Sequence, residues 1–351
     1  MKLPFAQAPR SVCILRLSAI GDTCHIVPVL RTMQQVWPAT RFTWIIAKTE
    51  SGLMRLIEGV EFIIVDKRAG LAAGAAVRRA LAGRSFDALL HMQLALRASL
   101  IALQVRATIK LGFDRARARD LQWLFTNARI AARSREHVLD SFFGFPAALG
   151  IKERLLRWDI PLPQATQEYA RALVPDAQPT LVISPCSSHA HRNWRPERYA
   201  AVAEHAVRHH GMRVILSGGR SALERATGAA IERAARAPLL NQIGRDTLPQ
   251  LLALLARARA LLSPDSGPVH MATAVATPVL GLYAATNPAR SGPYLSQKWC
   301  VNAYAEAVRR YRHREPGELP WTTKIEQPGV MDLIQVEEVI ARLDELLRSP
   351  P

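Results

Sequence analysis

Residues 261–288, LLSPDSGPVHMATAVATPVLGLYAATNP, set the strongest constraint on what this chain can fold into. An apolar run ends at Leu261-Leu262 and is broken by Ser263-Pro264-Asp265-Ser266-Gly267-Pro268. The spacing then predicts a helix over 269–276 and a strand over 278–283. Strand, tight loop, helix, strand is the unit of a parallel α/β sheet. It puts Asp265-Ser266-Gly267 at the carboxyl edge of the sheet, where open α/β sheets bind their ligands. The loop leads into a helix N-terminus, whose N–H groups and positive dipole end attract an anion. Taken alone, an Asp-Ser-Gly sequence reads first as a plain helix cap.

The same alternation runs through the rest of the chain. A strand over 11–17 is followed by the loop Ser18-Ala19-Ile20-Gly21-Asp22 and a helical segment with Ile26, Leu30 and Met33 on one face. Strands over 41–47, 61–66, 86–92 and 108–113 alternate with helices over 51–57, 71–82 and 93–103. A helix over 138–149 closes this half, and Trp158-Asp159-Ile160-Pro161-Leu162-Pro163 reads as a linker. The predicted domains are 1–165 and 166–335, with a closing helix in 336–351. In the second half, strands fall over 180–185, 213–219 and 239–244. Helices fall over 164–173, 197–209, 221–235 and 248–260, and residues 289–294 read as a turn-rich loop.

Length and composition narrow the class. The 351 residues suit two domains of ordinary size. No run of eighteen apolar residues occurs, and the N-terminus lacks the apolar core of a signal peptide, so a cytoplasmic protein is expected. Cys13, Cys24, Cys186 and Cys300 are scattered without metal-ligand spacing. His189 and His191 share a loop with no acid nearby, so no metal site is predicted. Residues 1–160 hold 24 Lys and Arg against 12 Asp and Glu, leaving 22 against 17 for the rest of a +17 chain. A basic first half implies anionic partners. The chain lacks both the dinucleotide and the P-loop glycine fingerprints. No nucleic-acid module accompanies the basic residues.

Three stretches resemble one family, the ADP-heptose:lipopolysaccharide heptosyltransferases. Leu15-Arg16-Leu17-Ser18-Ala19-Ile20-Gly21-Asp22, with His25, Pro28 and Leu30, is similar to the family's first motif. Asp265, Ser266, Gly267, His270, Ala272, Pro278, Tyr283, Thr286 and Pro288 fall in register with its donor motif. Ala284 stands where that motif usually has glycine. The loop Cys186-Ser187-Ser188-His189-Ala190-His191-Arg192-Asn193-Trp194 resembles a third motif, hydroxyl residues followed by K-x-W-P. Here Arg192 replaces the common lysine, and Arg195 is an extra residue before Pro196.

The resemblance implies a GT-B architecture: two Rossmann-like doubly wound α/β domains facing a cleft, with the C-terminal helix crossing back towards the first. It implies inverting transfer of L-glycero-D-manno-heptose from ADP-heptose to Kdo of the lipopolysaccharide inner core. The loop at 186–194 is most like the branch that adds the first heptose. Addition of the second heptose, or use of another sugar acceptor, is the alternative. Asp22 is the implied general base. Ser187, Ser188, Arg192, Asp265, Ser266, Gly267 and His270 are implied donor contacts. Ser18, His25, Arg115, Arg117 and Arg119 are implied contacts to a Kdo-lipid A acceptor, although the arginines read equally as a solvated basic face. ADP-heptose enters as co-substrate, with no cofactor and no metal. A monomer is expected, working at the cytoplasmic face of the inner membrane through its basic surface, with no nucleic-acid partner.

Overall fold

Each half of the chain builds one six-stranded, all-parallel sheet. The computed structural model describes residues 3–70, 72–175 and 178–349. The halves meet at Pro161–Leu162, inside the proline-rich stretch.

The first unit contains β1 (Ser11–Leu15), α1 (Ile20–Val36), β2 (Arg41–Ala47), α2 (Lys48–Met54), β3 (Val60–Val65), α3 (Ala72–Ala80) and β4 (Phe86–His91). It continues with α4 (Leu96–Ala102), β5 (Ala107–Gly112), β6 (Ala128–Arg129) and α5 (Val138–Leu149). Leu71, the expected first residue of the third helix, lies outside the described residues. The strand order is β3-β2-β1-β4-β5-β6, the doubly wound order whose direction of growth reverses between β1 and β4. β1 and β4 are central and carry near-continuous apolar runs, as strands covered on both faces must. β5 was the expected end of this sheet; the two-residue β6 extends it by one.

The second unit contains α6 (Gln164–Leu173), β7 (Thr180–Ile183), α7 (Pro196–His210), β8 (Arg213–Leu216), α8 (Ala222–Ala234), β9 (Leu240–Asn241) and α9 (Leu248–Arg257). Then come β10 (Ala260–Pro264), α10 (Gly267–Ala274), β11 (Val279–Tyr283), α11 (Pro288–Ser291), β12 (Val301–Asn302), α12 (Tyr304–Arg312) and α13 (Val336–Arg348). Its order, β12-β11-β10-β7-β8-β9, repeats the first sheet strand for strand, with the reversal between β7 and β10. Gly281 is required on β11: a Cβ there would stand 2.6 Å from the ring of the buried Tyr283. The stretch 289–294 is not all loop, because Asn287 accepts from Ala289 N–H and starts the short α11. β12 also had no counterpart among the predicted elements.

The closing helix, α13, buries Val339, Leu343 and Leu346 in the core of the second unit. Arg259 donates to the Ser349 carbonyl at 2.9 Å, and Nε2 atoms of His205 and His210 on α7 each lie 2.7 Å from Asp344 Oδ1. These contacts tie the helix to α7 and to Arg259, just before β10, within the second unit. Residues 350 and 351 lie outside the described residues.

One buried histidine in the first unit has a thermodynamic consequence. His91 ends β4, is fully buried and meets Ser99 Oγ at 3.0 Å. Burial, helped by the charges of Arg16 and Lys110, pushes its pKa from 6.5 down to about 4. The unfolded chain therefore takes up this proton at a higher pH than the folded one. Stability is full above about 6.5 and falls as pH drops towards 4, by up to about 3 kcal/mol. His91→Gln keeps a partner for Ser99 and is expected to flatten this window; equal slopes of urea stability against pH in both proteins would exclude His91 as the cause.

Candidate active site

The loops after β1 and β4 flank the point where the first sheet reverses, and the sequence lays polar groups there. Asp22 sits in the first turn of α1, accepts from Ala19 N–H at 3.4 Å and pairs with the Arg16 guanidinium. Arg16 is itself tightly held: it donates to the Met92 carbonyl at 2.6 Å and lies 5.2 Å from the centre of the Phe142 ring. Its carbonyl accepts from Trp44 Nε1 at 3.0 Å. Gln93 ties the two loops together, accepting from Leu17 N–H at 2.6 Å and from Ser18 N–H at 3.2 Å, with its amide donating to Ser18 Oγ at 3.4 Å. The Asp22 side chain remains 31% exposed, against 12% for Arg16. An oriented carboxylate open to solvent beside a helix start can accept a proton from a bound hydroxyl.

In the second unit, the loops after β7 and β10 flank the reversal. Ser184 N–H bonds the Leu262 carbonyl at 3.0 Å, and Ser263 Oγ donates back to the Ser184 carbonyl at 2.9 Å. Ser263 also meets Ser266 Oγ at 2.8 Å, just before Gly267 opens α10. The 186–194 loop is pinned at its far end by Trp194. That indole is buried, donates to the Ile334 carbonyl at 3.1 Å and packs edge-on against Tyr199. The extra Arg195 pairs with Asp332 and leaves Pro196 free to start α7.

Arg192 is the centre of a charged cluster. It is buried, with Nη1 3.3 Å from Asp265 Oδ2 and with Nε and Nη2 3.0 and 2.7 Å from Glu326 Oε1. Burial alone would raise the Glu326 carboxyl, but the bonds and charge of Arg192, with Lys324 and His189 nearby, hold it below the usual range. Burial, then the Arg192 charge, pushes the Lys324 ammonium below the ordinary lysine range. Tyr283 Oη, fully buried near Asp265, has no hydrogen-bond partner among the described residues, and its pKa is driven far up by burial.

A family model described as Glycosyltransferase family 9 (heptosyltransferase) matches residues 75–319 of the chain. The chain belongs to that family. It is 39% identical to the lipopolysaccharide core heptosyltransferase OpsX of Haemophilus influenzae over 342 residues, 97% of this chain and 98% of the relative. It is 24% identical to lipopolysaccharide heptosyltransferase 1 of Pseudomonas aeruginosa, over 97% and 98% of the two chains. The solved structure of the E. coli heptosyltransferase WaaC with ADP covers 96% of this chain and 99% of its own at a TM-score of 0.74 and 20% identity, a likeness of fold. Matches named heptosyltransferase 3 and heptosyltransferase II also occur, so kinship leaves the position of the transferred heptose open.

Within this glycosyltransferase the motif residues of each unit are brought to the carboxyl edge of its own sheet. Ser187, Arg192, Asp265, Ser266 and Gly267 gather at the β7–β10 reversal, and His270 lies buried one turn into α10. Ser188 follows Ser187 in the loop, exposed to solvent. Ser18 and Asp22 gather at the β1–β4 reversal. His25 instead lies inside, 2% exposed and edge-on to His137 at 5.5 Å. Arg115 is exposed and lies over Trp123, and Arg119 is exposed. Arg117 is turned inward, pairing with Asp114 and Glu136 and donating to Ser141 Oγ at 2.8 Å and the Ala131 carbonyl at 2.7 Å.

Sequence reasoning missed Arg16 as the partner of Asp22, and it missed Lys324 and Glu326 altogether. Arg16 was legible, since it lies six residues before Asp22 in one motif. Ile325 N–H bonds the Ala285 carbonyl at 2.8 Å, which brings this segment beside the end of β11, and nothing local in Lys324-Ile325-Glu326 announces it. Glu224, in the first turn of α8, is closed into a cap, accepting from Gly219 N–H and Ser221 Oγ at 2.6 Å each. Asp246, raised mainly by burial, bonds Ser217 Oγ at 2.9 Å and the Tyr169 hydroxyl.

The inward turn of Arg117 is testable. Arg117→Met removes the countercharge of two mostly buried carboxylates and is expected to cost about 2–3 kcal/mol in urea unfolding. Arg117→Lys recovers only part, because an ammonium cannot fork between them. Stability within about 0.5 kcal/mol of wild type would instead leave the guanidinium available to a ligand.

Proposed function

We propose that this glycosyltransferase moves L-glycero-D-manno-heptose from ADP-heptose to Kdo of the lipopolysaccharide inner core, as the first heptose, with inversion and without a metal or cofactor. The observation that carries the reading is Asp22, held by Arg16 at the strand-order reversal of the first sheet and open to a ligand. The Asp22 carboxylate takes the proton of a Kdo hydroxyl while that oxygen bonds to the anomeric carbon. The bond from that carbon to the phosphate oxygen breaks, and ADP departs with the electron pair.

The second unit supplies the leaving-group end. The N–H groups opening α10, with Ser266, Ser187 and Ser188 beside them, face the diphosphate. Of the five N–H donors of Arg192, three are given to Asp265 and Glu326, and the rest are available to phosphate oxygens. A cation already fixed in place stabilises the developing charge without reorganising at the moment of reaction. Matches named heptosyltransferase II and heptosyltransferase 3 keep addition of the second heptose, or use of another sugar acceptor, as the alternative.

Asp22→Asn is expected to keep calorimetric affinity for ADP-heptose while turnover falls at least about 100-fold, the usual worth of a general base. Near-full turnover would remove Asp22 from the chemistry. In the same assay, ADP release with Kdo-lipid A but not with Kdo-lipid A already carrying one heptose supports the first-heptose reading, and the reverse supports the alternative.

The enzyme is further proposed to work as a monomer on the cytoplasmic face of the inner membrane, docking through its first unit. No described helix is long and apolar enough to cross a membrane. Leu96, Leu100 and Leu103 stand on one face along α4 and are 42–55% exposed; Leu121 and Leu124 are 54% and 59% exposed. Leu96 N–H donates to Asp120 Oδ2 at 3.2 Å and so ties the helix to the 120–124 loop. Leu121 stands out with φ of 58°, a left-handed conformation unusual for a branched side chain. Exposed Arg97, Arg106, Arg115 and Arg119 flank these leucines, each worth about 1 kcal/mol near anionic lipid. Replacing Leu100 and Leu103 with Asp is expected to lower partition onto phosphatidylglycerol vesicles at least about tenfold, with activity on a water-soluble Kdo acceptor unchanged. Undiminished partition would dismiss this face as the docking surface.

A further inference from the structure

At the C-terminus of α7, far along the helix from the donor loop, side chains from two helices converge on one point. Nε2 of His205 and Nε2 of His210 each lie 2.7 Å from the same oxygen, Asp344 Oδ1 on α13. All three donor atoms fall within 4.8 Å of one another. Helix geometry does not give this arrangement for nothing. The neighbour of His205 on its own face of α7 is His209, which stacks on it at 4.6 Å. His210 lies about 140° further round, and is the last helical residue before Gly211 turns the chain at φ of 60°.

We propose that His205, His210 and Asp344 form a structural site for a divalent first-row transition ion of the Zn2+ type. Two imidazole nitrogens and one carboxylate oxygen are the donor set such ions take, and hard cations that want only oxygen do not. The three side chains are only partly buried, with 17–32% of each exposed, so an ion can reach them and complete its shell with water. Seating it requires the donor atoms to spread from 2.7 Å to about 3.3 Å, which follows from metal–ligand bonds near 2.05 Å in a tetrahedron. Small side-chain rotations supply that. The negative end of the α7 dipole adds to the attraction for a cation.

The ion would link α13 to α7 and so fasten the closing helix to the second unit. Pro196, where α7 begins, is about 20 Å away along the helix axis. The site is therefore structural and separate from the transfer chemistry, and it stands whatever sugar is moved.

The test uses the full chain, freed of metal with EDTA and titrated with Zn2+ and with Co2+. Saturable uptake of one Zn2+ per chain is expected, together with a rise in Tm of about 5 °C at a hundredfold excess over Kd. Asp344→Asn and His210→Gln keep their hydrogen-bonding capacity, and circular dichroism checks the fold of their metal-free forms. Each is expected to weaken Zn2+ at least about tenfold, since even partners outside the ligand set are worth that much. The visible spectrum of the Co2+ form reports the ligands in the unmodified protein, and nitrogen and oxygen ligation without thiolate charge transfer is expected. No saturable uptake below millimolar Zn2+, uptake that both variants retain, or a thiolate band pointing to a cysteine would each overturn the site.

Discussion

Parallel strands put every carboxyl end on one edge of a sheet, and a sheet that grows outwards in both directions must reverse its order once. At that reversal the two neighbouring strands send their following loops to opposite faces and leave a crevice between them. Everything of chemical interest at the two motif edges follows from this constraint. In the first sheet the reversal separates β1 from β4, and Gln93 bridges the diverging loops. In the second it separates β7 from β10, and Ser263 bridges them through the Ser184 carbonyl. Asp22 and Arg192 stand where they do because each follows a strand that borders a reversal.

Both edges are built on ion pairs whose arginine is largely buried, and burying that charge costs desolvation that the attraction only partly returns. The Arg16–Asp22 pair is held by a carbonyl, an aromatic face and a helix start. Arg192 is held by two carboxylates, one of them from a segment 134 residues further along the chain. Arrangements of this kind are poor value for stability and good value for reactivity, because a charge that is already oriented does not have to move when a substrate's charge develops. The surrounding apolar anchors, Trp44 in the first unit and Trp194 in the second, supply the rigidity.

The basic excess of the first half divides into two populations that composition cannot separate. Arg16 and Arg117 point inward and close loops, while Arg97, Arg106, Arg115 and Arg119 face water beside exposed leucines. A net charge measures the number of cations and says nothing of their partners. The inward arginines follow from the acids that the fold places beside them, and the outward ones carry their charge at the surface.

The sequence by itself determined the α/β alternation and the loops that border both reversals. Those features are local: a period of apolar residues, punctuated by proline and glycine, specifies strand, turn and helix within a few residues. The places of Asp22, Ser266 and Gly267 at strand-to-helix loops were legible for that reason, while the family was legible through the resemblance of three motifs. The two-residue strands β6 and β12 were not, since they are too short to carry a period and exist through their neighbours in the sheet. Only the tertiary structure decided that Glu326 and Lys324 join Arg192, that Arg117 turns inward, that His25 is buried and that α13 lies against α7. Each of these depends on side chains far apart in the chain meeting across a packed interior, and no local pattern encodes such a meeting.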